Sequence, residues 1–277
     1  MSDKVLINAD WKREGAFVGT EFRLQVGRYS CCPFLYDKVN EQQTLMPHVE
    51  YGLVCWVGEH GVQVKLAMNR TQLEEAAEYH RQATRLAKYA NQFEYSPFRP
   101  SRYPHPLKPG VQLWSVTETN SRALAKPLLY QWHYKKGVEG VLTLLKDHPE
   151  IPSVKDLDLE QTLGLLEAHK LRPTDLRDKA GDQGRTFHKL AMFYLQGKNV
   201  DLTDAPQGHK DFLTGFAAWC TKVKLEPVAV EQMVYEDTEE AESIGGTLDC
   251  LAMVDRGFVE SEWARLNQPK EQKEGTG

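Results

Sequence analysis

Apolar residues recur along this chain in two periods: short alternating runs typical of strands, and longer runs with a helical repeat. Over residues 1–67 the strand pattern predominates, in the runs VLINA, EFRLQVGRY, YGLVCWVG and GVQVKLAM. A helix is predicted to follow, because Thr71 and Glu74 have capping-box spacing and the next apolar residues recur at helical spacing. His80 is predicted to lie on the surface of this helix. We therefore predict a strand-rich N-terminal domain over residues 1–92 that ends in a helix.

Residues 93–110 contain five prolines and predict an extended linker, although their basic and aromatic residues would also suit a nucleic-acid backbone. Beyond them, the pattern predicts a short strand and then several helices, one of which bends or restarts at Pro127. Two strands follow, at Val228–Tyr235 and Thr247–Val254. We predict a second domain over residues 111–265 and a polar tail over 266–277. The expected fold class is α/β (or α+β), a mixed sheet flanked by helices.

The composition of the chain limits the classes of function and the cellular compartments that are expected for this protein. The net charge of −5 argues against a simple basic nucleic-acid coat, but it leaves room for a local basic groove. The five cysteines form no CxxC pair, which indicates free thiols in a reducing compartment. The first residues contain no apolar leader and no run has the length of a membrane span, so we predict a cytoplasmic protein without a membrane partner. Glycine-rich phosphate loops and a G-x-S-x-G elbow are absent from the sequence.

Two acids stand among apolar residues in the last two predicted strands. Because side chains alternate along a strand, Glu231 and Asp249 can project on the same side if these strands pair. Two neighbouring carboxylates repel each other unless they bind a hard cation such as Mg²⁺ or Mn²⁺. His188, on a predicted helix, can add an imidazole ligand, and Glu262 follows on a possible third strand. The alternative is that Glu231 and Asp249 are strand-end acids that face water.

Four segments in a particular order resemble a known family. They are SVT at 115–117 followed by KPLLYQW, GRTFHKLA at 184–191, VAVEQMVY at 228–235, and GGTLDCLA at 245–252. Together they resemble the RecB-like branch of the PD-(D/E)XK nucleases, which includes exonucleases of mitochondrial genome maintenance and of phages. The resemblance covers roughly residues 111–264. In that branch a D-W-K-T strand follows about thirteen residues after the aspartate of the GxxD strand.

The resemblance implies a role for each matched position. His188, Glu231 and Asp249 match the metal-binding positions, and Glu262 lies thirteen residues after Asp249, followed by a tryptophan. The implied catalytic set is Glu231, Asp249 and Glu262, and the implied ligands of Mg²⁺ or Mn²⁺ are His188, Asp249 and Glu262. DNA is the implied substrate, as single strands or duplex ends. Residues implied to contact nucleic acid are Ser115, Thr117 and Arg185.

The sequence departs from the family at one position with chemical consequences. Ala264 occupies the place of the family lysine, which would stabilise charge on the phosphate, and Arg265 occupies the place of the threonine. Three interpretations follow: a protein that binds DNA or a protein partner without catalysis, an enzyme in which Glu260 or Arg265 substitutes, or a truncated form of a longer enzyme. We expect a metal-dependent DNA exonuclease, catalytically impaired if the lysine has no substitute. The alternative is a non-catalytic relative, with the N-terminal domain as the module that binds a partner.

Overall fold

A computed structural model describes residues 3–16, 18–58, 61–91, 102–123, 127–148, 157–237 and 243–268. It is a mixed α/β structure, as predicted. The strands are β1 (Lys4–Arg13), β2 (Phe34–Asp37), β3 (Gln42–Leu45), β4 (Tyr51–Gly58), β5 (Gly61–Asn69), β6 (Arg102–Pro104), β7 (Gln112–Ser115), β8 (Glu226–Glu236) and β9 (Ile244–Asp255). The helices are α1 (Thr20–Ser30), α2 (Arg70–Asn91), α3 (Val116–Ala123), α4 (Pro127–Asp147), α5 (Leu159–Ala168), α6 (Pro173–Leu195), α7 (Gln207–Lys222) and α8 (Arg256–Asn267).

One sheet contains strands from both ends of the chain, in the order β3-β2-β8-β9-β1-β4-β5. β9 runs antiparallel to β8 along one side and antiparallel to β1 along the other, while β1 and β4 are parallel. β7 pairs with the start of β9, and β6 pairs with β7. The N-terminal strands therefore do not form a sheet of their own, because β1 lies between β9 and β4.

The chain divides into two compact units at places that differ from the predicted boundaries. The first unit comprises residues 1–124 and 187–277, and the second comprises residues 125–186. The hydrogen bonds between β1 and β9 join the segment predicted as residues 1–92 to the predicted core. Part of the predicted linker is also strand, since residues 102–104 form β6, while residues 93–101 and the end of the tail lie outside the described residues.

Alternation along β1 separates the two faces of the sheet. Val5, Ile7, Ala9 and Trp11 pack in a hydrophobic cluster with α6, α7 and α8. The intervening residues face the opposite side, where the cluster contains residues of α1, α2 and α3. Asn8 illustrates this face, since its side-chain amide donates to the hydroxyl of Ser30 at 3.0 Å. The same alternation places Asp10 on the side of α1.

Three local predictions are wrong. The run EFRLQVGRY forms α1 rather than a strand: Leu, Gln, Arg and Glu are good helix formers, and the run has a single β-branched residue. Residues 256–267 form α8 rather than a third strand, and the Asp255 carboxylate caps this helix by accepting from the Phe258 N–H at 3.0 Å. His80 is fully buried rather than exposed. Among the described residues, no helix is both long enough and apolar enough to cross a membrane.

Candidate metal centre

Three carboxylates lie in a row across the strands β8, β9 and β1. Glu231 stands between two residues of β8 that pair with the two neighbours of Asp249, so these acids are opposite each other. The ladder between β1 and β9 reaches Ala9, and the next residue on β1 is Asp10, level with Asp249. Residues directly opposite in neighbouring strands project on the same face. The pairing of β8 and β9 therefore brings Glu231 and Asp249 opposite each other, and the fold adds a third acid beside them.

His188 joins two of these acids. Its Nε2 lies 3.1 Å from Oδ1 of Asp249, and its Nδ1 lies 3.3 Å from Oε1 of Glu231. The helix α6 positions this imidazole because Phe187, Leu190 and Ala191 anchor the same stretch of helix in the hydrophobic core. One ligand atom from each member of the group lies within 4.8 Å of the others, a spacing at which His188, Glu231 and Asp249 can hold a metal ion.

Asp10 is the acid that the sequence analysis missed. It is 3% exposed, and its Oδ1 accepts hydrogen bonds from Lys12 Nζ at 2.9 Å and from Gln25 Nε2 at 3.4 Å. Its Oδ2 is buried and has no hydrogen-bond partner among the residues that the structure describes. A buried carboxylate oxygen without a donor is costly unless a cation supplies the missing interaction. The backbone N–H of Trp11 donates to Oδ2 of Asp249 at 2.7 Å, which ties this strand end to the metal-binding group.

The protonation equilibria reflect this crowding of charge. Burial raises the pKa of Asp10 to about 7, against the lowering effect of Lys12 and together with the repulsion of Asp249. Burial also acts to lower the pKa of His188, but the hydrogen bond that its imidazole donates to Asp249 and the charges of Asp249 and Glu231 outweigh it and raise that pKa to about 9. Such strongly perturbed groups gathered in one place are typical of functional sites.

The backbone at Glu231 is unusual for a strand. Its φ angle is 56°, in the left-handed region that residues other than glycine rarely adopt. Strain of this kind persists only where surrounding structure enforces it, and it is concentrated at functional sites. The ladder with β9 supplies that enforcement, since it holds Val230 and Gln232, the two neighbours of Glu231. The side chain of Glu231 is thereby aimed at His188.

Glu262 is not part of the metal-binding group. It lies on α8, where Nε of Arg265 donates to its carboxylate at 3.1 Å. Arg265 also donates to the carbonyl oxygen of Val64 at 3.0 Å, so this pair links α8 to β5. Ala264, the residue at the family's lysine position, is an exposed residue of the same helix. The predicted third carboxylate is therefore an element of helix packing, and Asp10 takes its place in the row.

The three residues predicted to contact nucleic acid lie in different settings. Ser115 is buried at the end of β7, and its carbonyl oxygen accepts from the Thr119 hydroxyl at 2.7 Å. Thr117 is exposed at the start of α3 and hydrogen-bonds the phenol of Tyr29. Arg185 is exposed on α6 and pairs with Asp182, within the second compact unit. Tyr29, the partner of Thr117, lies near enough to Asp10 and Asp249 for their charges to act on its hydroxyl group.

A sequence signal for the missed residues exists at the other end of the chain. Residues 10–12 read D-W-K, the triplet that the resemblance predicts after Asp249, and they form the end of β1. The predicted position was thirteen residues after Asp249, whereas the triplet lies 239 residues before it. Strand pairing between β1 and β9 brings the triplet beside Asp249 despite that separation.

No protein-family model matches the chain, no curated protein matches it, and no solved structure matches it.

Proposed function

We propose that this protein is a metal-dependent nuclease that hydrolyses phosphodiester bonds of DNA, at ends or in single strands, with Mg²⁺ or Mn²⁺ as the cation. The observation that carries the proposal is one arrangement: Asp249 and Asp10 stand on neighbouring strands, His188 contacts the first, and Lys12 contacts the second. Carboxylates, an imidazole and an ammonium group in one place are the parts that such hydrolysis uses.

The donor set suits a hard divalent cation. Asp249 and Asp10 would supply carboxylate oxygens and His188 a nitrogen, with Glu231 beside them, and none of these is a soft sulfur ligand. The buried Oδ2 of Asp10, to which none of the described residues donates a hydrogen bond, fits an oxygen that a cation would contact. When bound, the cation would polarise the phosphodiester and favour hydroxide as the nucleophile.

Lys12 can supply the positive charge that the family lysine would provide at residue 264, where this chain has alanine. Its ammonium lies 2.9 Å from Asp10, and the charges of Asp10 and Asp249 outweigh burial and raise its pKa, so it stays protonated. A protonated lysine at this place would stabilise the negative charge that develops on the phosphate and orient the attacking water. Alanine at residue 264 therefore does not argue against activity.

The resemblance to RecB-like nucleases is supported by position in space rather than by order along the chain. The D-W-K triplet lies on a strand antiparallel to the GxxD strand, and the helix that follows it, α1, carries Gln25, which donates to Asp10. The family's glutamine-bearing helix would follow its D-W-K strand in the same way. We infer a nuclease core whose D-W-K strand and glutamine helix precede, instead of follow, the rest of the site.

Calorimetric titration with Mn²⁺ tests the metal centre directly. We expect Mn²⁺ binding by the unmodified protein, its loss in Asp249→Asn, and no change in Glu262→Gln, which serves as the matched control. Labelled single-stranded and duplex DNA should be cleaved only when Mn²⁺ or Mg²⁺ is present. Equal Mn²⁺ affinity in all three proteins would overturn the metal centre. Metal binding without cleavage of either DNA would instead favour the non-catalytic alternative, a relative that binds DNA or a protein partner.

A further inference from the structure

The hairpin formed by β2 and β3 ends beside the metal centre. β2 is antiparallel to β8, and the pair nearest the hairpin tip is Tyr36 with Met233. If this register is continued two residues beyond the last pair, it brings Lys38, the residue after β2, level with Glu231 of β8. The tip therefore passes at the level of the carboxylate row. Lys38 is close enough to Glu231 for its charge to act on that carboxylate, which agrees with this placement.

The tip of this hairpin, residues 37–41, holds a defined shape. Oδ1 of Asp37 accepts from the backbone N–H groups of Val39 at 2.8 Å and Asn40 at 3.3 Å, and its Oδ2 accepts from the Asn40 side-chain amide at 2.8 Å. These hydrogen bonds lower the pKa of Asp37. Glu41 completes the turn with a φ of 53°. The aspartate turn therefore presents the two residues between it and Asn40 in a preset geometry.

Those two residues are an exposed lysine and an exposed apolar side chain. Val39 is 90% exposed, the largest exposure among the large hydrophobic residues in the described part of the chain. No ion pair joins Lys38 to any of the described residues. A cation and an apolar surface side by side match the alternation of phosphate and base along a nucleic-acid strand. With strands about 4.8 Å apart, the backbone of Lys38 lies two strand spacings, roughly 10 Å, from that of Asp249.

We propose that the β2–β3 tip contacts the substrate of the nuclease described above, with Lys38 on a phosphate next to the scissile one and Val39 packed against the adjoining base. This inference rests on the proposed function and specifies the substrate of the same site. A base can pack on Val39 only when its face is not covered by a stacked neighbour, and in a paired duplex stacking covers both faces of every internal base. The tip therefore selects an unpaired strand, either single-stranded DNA or a frayed duplex end.

Fluorescence anisotropy of a labelled oligothymidine, with Ca²⁺ in place of Mg²⁺, tests both contacts. Val39→Asp should weaken binding about tenfold, because it removes a base contact and adds a negative charge near the phosphates. Leu45→Asp is the matched control, since Leu45 is 75% exposed on the same hairpin but lies at its base, paired with Phe34. It should bind the oligonucleotide as the unmodified protein does. Melting curves by circular dichroism verify that each variant is folded.

The salt dependence of binding isolates the lysine. Lys38→Ala should reduce the slope of log K against log salt by about 0.7, the value for one phosphate contact to a single strand. Lys222→Ala, an exposed lysine on α7, should leave the slope unchanged. Equal weakening by Val39→Asp and Leu45→Asp would overturn the proposal, as would a change in molar mass by light scattering in both, because the hairpin would then join two copies of the chain.

The two proposals fail in different ways. If the unmodified protein binds Mn²⁺ and cleaves DNA while the Lys38 and Val39 variants match it in affinity and cleavage, only the tip contact is overturned. If the unmodified protein does not bind Mn²⁺ or cleave DNA, but the tip variants still weaken oligonucleotide binding, the tip contact stands and the nuclease proposal falls. If the unmodified protein does not bind the oligonucleotide, the tip contact is overturned.

Discussion

Two segments of this chain have an acid followed by a tryptophan, and the fold places one in a helix and the other in a central strand. Glu262 and Trp263 lie at the spacing from Asp249 that the resemblance predicts, yet they are part of the helix α8. Asp10 and Trp11 lie near the other end of the chain, and they are the pair that stands beside Asp249. The comparison teaches that spacing along a chain identifies a site only when the connectivity of the strands is the expected one.

The tryptophans show why each segment lies where it does. Trp11 is 5% exposed, and its ring makes edge contacts with Phe216 at 5.3 Å and Trp219 at 5.7 Å between centroids. With Trp11 anchored in that core, alternation turns Asp10 to the opposite face, toward Asp249. Trp263 is half-buried and its ring N–H donates to Gln72 at 2.9 Å, which fixes α8 beside α2.

The strongest test of this comparison removes the negative charge of each acid in turn. Asp10→Asn should reduce DNA cleavage by about 10²–10³-fold, because it removes a proposed ligand and the partner of Lys12. Glu262→Gln should leave the rate within about twofold, since exposed ion pairs contribute little. Single-turnover cleavage of labelled single-stranded DNA with Mn²⁺ measures both. A larger loss in Glu262→Gln than in Asp10→Asn would reverse the assignment.

The lysine position can be tested in the same paired way. Lys12→Ala should reduce the rate constant for cleavage by about 10²-fold while Mn²⁺ affinity changes little, because the ammonium acts on the phosphate and not on the cation. Ala264→Lys should neither raise the rate of the unmodified protein nor rescue Lys12→Ala, since residue 264 is exposed on α8. Rescue by Ala264→Lys would show that the site uses α8 after all.

The two tryptophans should also differ in what they contribute to folding. Trp11→Ala should lower the free energy of unfolding by about 3–5 kcal/mol, the range for truncation of a buried aromatic side chain. Trp263→Ala should cost about 1–2 kcal/mol, because its ring is half-buried and its main polar contact is one hydrogen bond. Urea unfolding followed by circular dichroism compares the two. Equal losses would indicate that α8 is as central to the core as β1.

The smallest expected effect concerns the pair on α8. Glu262→Gln should change the free energy of unfolding by less than about 1 kcal/mol, because its partner Arg265 is 56% exposed and water screens the pair. Adding 0.5 M NaCl should weaken even this contribution, since salt screens exposed charges. A loss of several kcal/mol in the urea experiment would mean that Glu262 has a role that the structure does not explain.

The sequence predicted part of the site correctly, and each success has a local cause. Alternating apolar residues around Glu231 and Asp249 predicted the strands β8 and β9, and the pairing of these strands places both acids opposite each other. The helical spacing around His188 predicted α6, and an imidazole on a helix above the sheet was expected to be able to join the two acids. The helix at residues 20–30 was missed, because a buried amphipathic run of nine residues fits either period.

Local pattern by itself determined the two strands, most of the helices and two of the three carboxylates, because alternation and helical spacing depend only on residues within a few positions. The tertiary structure alone decided that β1 inserts between β9 and β4 and that Asp10 and Lys12 complete the row. That choice depends on strand pairing across 239 residues, where the energy comes from buried area and hydrogen bonds between distant segments. A rule based on residue spacing along the chain cannot predict those contacts between distant segments.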